Sequence, residues 1–217
     1  MNKIEELKLY EDKISKILEF LLEENKNIEK DFDVSNEDLS KMKASIIGMG
    51  PKNIGGFLEK ILLRFYNIDE FGNTNSENDG IHQTEKIEIK SSRALHQEKT
   101  KMKTGFDFLK NYNRRLLSIN ELTNLSFDCN MQQVKPEYFD KIYYGILTEN
   151  GFLVFKMNKM VLLSDKNISY SDKQHRGNFG EGQFHVKKSN IKYHMLHYYE
   201  GCISWYNIIK ILKDLKI

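Results

Sequence analysis

Asn78-Asp79-Gly80, followed by Ile87-Glu88-Ile89-Lys90-Ser91-Ser92-Arg93, is the stretch on which the fold of this chain turns. Apolar and charged residues alternate from Ile87 to Lys90, so in a strand Ile87 and Ile89 share one face and Glu88 and Lys90 the other. One face can build core and the other chemistry. Asn78-Asp79-Gly80 is turn-forming and ends a polar run from Asn73, which predicts a neighbouring strand beginning at Asp79. Pairing of the two strands puts Asp79 beside Glu88. Two hard carboxylates with open positions suit Mg²⁺, which keeps several waters and takes its remaining ligands from phosphate oxygens. The ammonium of Lys90 can then orient an attacking water or offset developing charge. Because 29% of the chain is charged, the same spacing also fits a solvated strand face with a cross-strand ion pair.

Upstream, Pro51 to Tyr66 carries apolar residues at 54, 57, 58, 61, 62 and 65, the pattern of an amphipathic helix. Glu59 is the one acid in it and lies beside the apolar stripe, where it could equally pair with Lys60 or Arg64 on the surface. A helix bearing Glu, a polar loop, an Asp and then Glu-x-Lys on a strand resembles the PD-(D/E)XK nuclease superfamily, whose largest group is the type II restriction endonucleases. Gly55-Gly56-Phe57-Leu58-Glu59 before the Asp and Glu-x-Lys is similar to the group of the nicking endonuclease MutH and the monomeric restriction enzymes MvaI and BcnI. The likeness spans residues 50–95, with Asn78 where the name-giving motif has Pro. It implies a restriction-endonuclease-like α/β core, a central mixed β-sheet flanked by helices, with an N-terminal helical segment. It also implies Asp79 and Glu88 as Mg²⁺ ligands, Lys90 as the motif lysine and Glu59 as an accessory acid.

A second region, Gln174 to Ser189, has three glycines in six residues and ends in a strand-like run. Glycine lets backbone approach a ligand, while Arg176, Gln183, His185 and Lys187 offer donors suited to base edges and phosphates. The stretch is similar to the His-x-Arg-Gly segment before the last helix in the BcnI type, although His175 and Arg176 are adjacent here. A glycine-rich hairpin with a solvated basic strand is the structural alternative. Ser91, Ser92 and Arg93, with Lys101 and Lys103 of the cluster Lys99-Thr100-Lys101-Met102-Lys103, are candidates for DNA backbone contacts by position alone.

The 217 residues suffice for one sizeable core, and no Gly/Pro/Ser-rich linker divides them, so one domain is expected over 1–217. Within it, 1–48 reads as helical, 50–95 as the motif core, and 140–217 as sheet extension, DNA-reading loop and closing helices. Net charge is only +2, but residues 1–40 hold twelve acids against six lysines, a net −6, which leaves +8 on residues 41–217. A basic body behind an acidic segment remains compatible with duplex binding. No run of 18 apolar residues suggests a membrane span, and Met1 to Glu6 lacks a signal-peptide core. Cys129 and Cys202 are isolated, fit a reducing cytoplasm and lack the company a zinc site needs.

Periodicity predicts helices over about Ile4 to Leu22 and over 36–47, the second capped by Ser35 with Asp38 assisting. Gly48-Met49-Gly50-Pro51 reads as a helix stop. Lys141 to Thr148 and Phe152 to Phe155 flank Glu149-Asn150-Gly151, a hairpin signal, and should extend the motif sheet. A helix is expected from Ser189 as N-cap, and a closing amphipathic helix from Trp205 to Leu215. His194 and His197, three apart, could share a metal or simply pack. No phosphate loop and no Gly-x-Ser-x-Gly elbow occurs, so no nucleotide cofactor is expected. The sequence as a whole leads to the expectation of a type II enzyme, monomer or homodimer, cutting double-stranded DNA with Mg²⁺. A repair nickase or junction resolvase of the same superfamily, and a non-catalytic nucleic-acid-binding protein, are its rivals.

Overall fold

The computed structural model describes residues 2–70, 78–96, 116–173 and 179–215. It is a mixed α/β structure with a central mixed sheet. Helices α1 (Lys3–Asn25), α2 (Ile28–Phe32), α3 (Asn36–Gly48) and α4 (Pro51–Phe65) come first. Asn2 opens α1 with a reciprocal capping box to Glu5, and the Ser35 hydroxyl accepts from the Asp38 N–H at the start of α3. Met49 and Gly50 separate α3 from α4, which starts at Pro51, a position whose missing N–H costs the helix nothing.

Strands β1 (Asp69–Glu70), β2 (Gly80–His82), β3 (Glu85–Arg93), β5 (Lys141–Leu147), β6 (Gly151–Asn158) and β9 (Tyr199–Ser204) form the six-stranded sheet in the order β1-β2-β3-β5-β6-β9. The pair β3 and β5 is parallel and the rest are antiparallel. The parallel register is clamped at both ends. Asp140 accepts from the Lys86 N–H at 3.0 Å and returns its own N–H to the Lys86 carbonyl at 2.9 Å, while Ala94 N–H reaches the Leu147 carbonyl at 3.0 Å. Strands β4 (Asp128–Val134), β7 (Ser171–Lys173) and β8 (Phe179–Lys187) make a separate antiparallel sheet, ordered β4-β8-β7. Among the described residues three further α-helices follow, α5 (Lys159–Ser164), α6 (Ile191–His197) and α7 (Trp205–Asp214).

Two cores lie on opposite faces of the central sheet. Ile87, Ile89, Tyr143, Phe152 and Val154 pack against Ile47 of α3, Leu58 and Leu62 of α4 and Ile208 of α7. On the other face Ile142, Tyr144, Leu153 and Phe155 meet Ile14, Ile17 and Leu21 of α1, Cys129, Met131, Phe184 and Val186 of the second sheet, and Met195 of α6. Strands β5 and β6 are therefore covered on both faces, which explains why they read as apolar runs and not as alternation. The acidic α1 is built into the core and is not an appendage to it.

One expectation changes. The chain does not turn helical at Ser189: α6 begins at Ile191, and the side chain of Asn190 is used to accept from Lys187 N–H and donate to the His185 carbonyl. Strand β9 then pairs with β6, and the Ser204 hydroxyl caps α7 where the closing helix is expected. His194 is wholly buried, with Nδ1 2.7 Å from the Tyr144 hydroxyl, and burial lowers its pKa to about 4. His197 instead lies with its ring against Tyr193, centroids 4.2 Å apart, so both histidines serve packing. Among the described residues no helix is long and apolar enough to cross a membrane.

Gly145 shows how tightly β5 and β6 meet. A Cβ built there would lie 2.0 Å from the ring of the fully buried Phe152. Gly145→Ala is expected to destabilise the fold by about 1–3 kcal/mol through overpacking, read as a lower urea midpoint. An unchanged midpoint would contradict this packing.

Candidate active site

Strand β2 accompanies β3 only briefly, with Gly80 opposite Ile87 as the last paired residues. The chain then leaves the sheet at Asp79, whose N–H still reaches the Ile87 carbonyl at 2.9 Å. A carboxylate oxygen of Asp79 accepts the Ile89 N–H at 2.6 Å, beyond the last pair that the described β2 makes with β3. Gly80 permits this departure, since a Cβ there would stand 2.8 Å from both the Asp69 carbonyl oxygen and Ile68 Cγ2. Backbone geometry thus fixes Asp79 one residue beyond the pairing, level with Glu88.

Strand alternation sends Ile87 and Ile89 into the helical core and turns Glu88 and Lys90 to the opposite face. Glu88 is only 5% exposed and forms an ion pair with Lys90. Burial pushes its carboxyl up to about 7, with the negative charges of Asp79 and Glu59 adding to the effect and Lys90 opposing it. Burial works against the charge of Lys90, yet Glu88, Asp79 and Glu59 together hold its pKa above the usual lysine value. Glu59, half-buried on α4, is also raised, first by burial and then by Asp79, against the pull of Lys90 and Lys60. Glu59, Asp79, Glu88 and Lys90 therefore form one electrostatic group, three acids around one ammonium. Among the described residues, no three His, Cys, Asp or Glu side chains stand in a ready metal-holding arrangement. The chain's own donors occupy part of each carboxylate, Ile89 N–H on Asp79 and Lys90 on Glu88.

The residues expected to touch DNA have varied placements. Arg93 donates to the Ile47 carbonyl and, at 3.0 Å, to the Met49 carbonyl, binding the end of α3 to β3. Ser91 points toward α4 and donates to the Gly55 carbonyl at 3.4 Å. Ser92 shares the face of Glu88 and Lys90 and hydrogen-bonds the thiol of Cys129 on β4, a thiol that burial pushes up to about 12. Gln183, His185 and Lys187 lie on β8 in the second sheet. Lys101, Lys103 and Arg176 lie outside the described residues. The sequence reading missed the Ser92–Cys129 link and strand β4, although the alternation Asp128-Cys129-Asn130-Met131-Gln132 was available to find that strand.

Comparison with protein-family models, with curated proteins and with solved structures finds no match to this chain. The geometry alone must carry the functional reading.

The Glu88 carboxyl provides a test independent of function. Its folded pKa, about 7, exceeds its ordinary 4.5, so the protonated form favours the fold. That contribution is complete below the unfolded value and is lost as pH rises through about 7. Without divalent cations, the wild type is expected to lose about 1–3 kcal/mol of stability relative to Glu88→Gln between acidic and mildly alkaline pH. Urea midpoints across that range check this, and parallel curves for the two proteins would contradict it.

Proposed function

We propose that the protein is a Mg²⁺-dependent endonuclease of the PD-(D/E)XK type, and specifically a type II restriction endonuclease that hydrolyses double-stranded DNA at a defined sequence. The observation that carries this is Asp79 held level with Glu88 where β2 leaves β3, with Lys90 paired to Glu88 and the charge of Glu59 acting on both. The succession α4, antiparallel β1-β2-β3 and then a strand parallel to β3 supports a restriction-endonuclease-like core.

The donor set fits Mg²⁺. Asp79 and Glu88 supply two hard oxygen ligands, and this ion needs only one or two carboxylates when phosphate and water complete its shell. Burial first, and then the charges of Asp79 and Glu59, raise the Glu88 carboxyl to about 7, and a cation would favour its ionised form. Next to Asp79, the side-chain oxygen of Asn78 is buried and without a hydrogen-bond partner, an acceptor suited to a cation's water.

When bound, Mg²⁺ supplies Lewis acidity toward the phosphate and lowers the pKa of water in its shell. The protein's own groups do the rest. Asp79, fixed by Ile89 N–H, and Glu88, fixed by strand register, hold their oxygens on one side of the scissile phosphate. Lys90 orients the water whose oxygen attacks phosphorus and offsets charge as the bond to the 3′ oxygen breaks. Glu59 stands as an accessory acid able to accept a proton, its raised pKa bringing it nearer neutrality.

Purified protein incubated with plasmid and Mg²⁺ is expected to give discrete double-strand fragments. Asp79→Ala and Glu88→Ala are each expected to lower the rate by about a thousandfold or more, Lys90→Ala by a similar factor, and Glu59→Ala by about tenfold. Nicked circles would favour a repair nickase with the same site. Binding that needs no Mg²⁺ and is unchanged in Asp79→Ala, with plasmid left intact across varied DNAs, would favour the non-catalytic reading.

A further inference from the structure

Strands β4 and β8 form a ribbon with two chemically opposite faces. Cys129 pairs with Val186 and Met131 with Phe184, and all four are buried in the core beneath the central sheet. The intervening pairs, Asp128 with Lys187, Asn130 with His185 and Gln132 with Gln183, must point the other way. Two polar groups lie along this face. Asp128 lies 2.6 Å from His185 Nδ1 and 3.8 Å from Lys187 Nζ, and Asn130 donates to Gln183 at 3.1 Å. The side-chain oxygen of Asn130 is buried and has no hydrogen-bond partner.

At its Asp128–Lys187 end the ribbon opens on a cleft of about 610 Å³. Three lysines, Lys187, Lys188 and Lys192, line it with the hydroxyls of Thr123, Ser126 and Ser189, against the single carboxylate of Asp128. Lys188 is anchored by donating to the Asn124 carbonyl at 2.7 Å, so one ammonium is held in place. Three cations facing one anion favour a further anion, and hydroxyl donors beside lysines suit phosphate oxygens. The same ribbon is fastened to the Glu88–Lys90 face of β3 through Cys129 and Ser92.

We propose that the Lys187–Lys188–Lys192 cleft seats a backbone phosphate of double-stranded DNA. The choice of DNA as partner rests on the nuclease reading above; the surface itself does not.

The test is fluorescence anisotropy on a labelled mixed-sequence duplex without divalent metal, across a salt series. Lys187→Gln/Lys188→Gln/Lys192→Gln is expected to weaken binding about tenfold or more and to flatten the slope of log affinity against log salt by about 2–3. Lys26→Gln/Lys30→Gln/Lys41→Gln, the same charge change on exposed lysines of the N-terminal helices, is expected to stay within about twofold. Because Lys188 also holds Asn124, Lys187→Gln/Lys192→Gln is measured beside the triple and is expected to show most of the loss. Equal effects in both triples, no effect in either, or binding of a mononucleotide without any duplex would overturn the proposal. If the wild type cuts plasmid and the cleft variants bind and cut as it does, the cleft fails and the nuclease reading stands. If the wild type leaves DNA intact with Mg²⁺ yet binds it through these lysines, the nuclease reading fails and the surface stands.

Discussion

The two faces of β3 have opposite requirements, and the arrangement of the whole molecule follows from satisfying both. Ile87 and Ile89 must be covered, which α3, α4 and α7 accomplish. Glu88 and Lys90 sit one residue out of phase, on the face where the second sheet packs, so a carboxylate and an ammonium are buried wherever that strand is built. A buried ion pair rarely stabilises a fold beyond what apolar residues of the same volume would give, because desolvation cancels most of its attraction. The elevated pKa of Glu88 shows the attraction of Lys90 failing to offset that penalty. In the proposed nuclease, that cost gathers negative charge where a dication belongs.

The surrounding elements serve the same strand. Asp79 accepts the Ile89 N–H beyond the last pair that the described β2 makes with β3, so one carboxylate is positioned by the ladder geometry and not by a flexible loop. Asp140 and Ala94 lock the parallel register with β5, which keeps Glu88 and Lys90 at fixed depth. Arg93 ties the far end of the strand to the last carbonyls of α3, favourable positions for a cation at a helix C-terminus. On the opposite face Ser92 and Cys129 link the strand to the β4–β8 ribbon. The proposed site and the proposed DNA-contacting surface are thus linked through β3.

Much of this was legible in the sequence because it is local. The period-two pattern at Ile87 to Lys90, the turn at Glu149-Asn150-Gly151 and the amphipathic α1, α3 and α4 are each set by residues close in the chain, and the structure has them in place. What escaped is set at a distance. Tyr199 to Ser204 is a short, partly apolar run that periodicity cannot divide between helix and strand, and only its pairing with β6 makes it β9. That β4 and β8 form their own sheet depends on which partner each strand finds, which no window of sequence contains. Arg93 and Ser91 carry the donors of a phosphate contact, but the same donors suit carbonyls at a helix end, and sequence does not say which is nearer. Glu59 joins the site across some twenty residues of chain from Asp79, and resemblance to a known motif, not spacing, singled it out.

The most direct test of a cation-seeking carboxylate pair is calorimetric titration of Mg²⁺ into the metal-free wild type, Asp79→Asn and Glu88→Gln near neutral pH, in two buffers of different ionisation enthalpy. One saturable event in the wild type is expected, with release of a fraction of a proton as Glu88 ionises, and its loss in both variants. No saturable binding in the wild type, or equal binding in Asp79→Asn, would contradict the site.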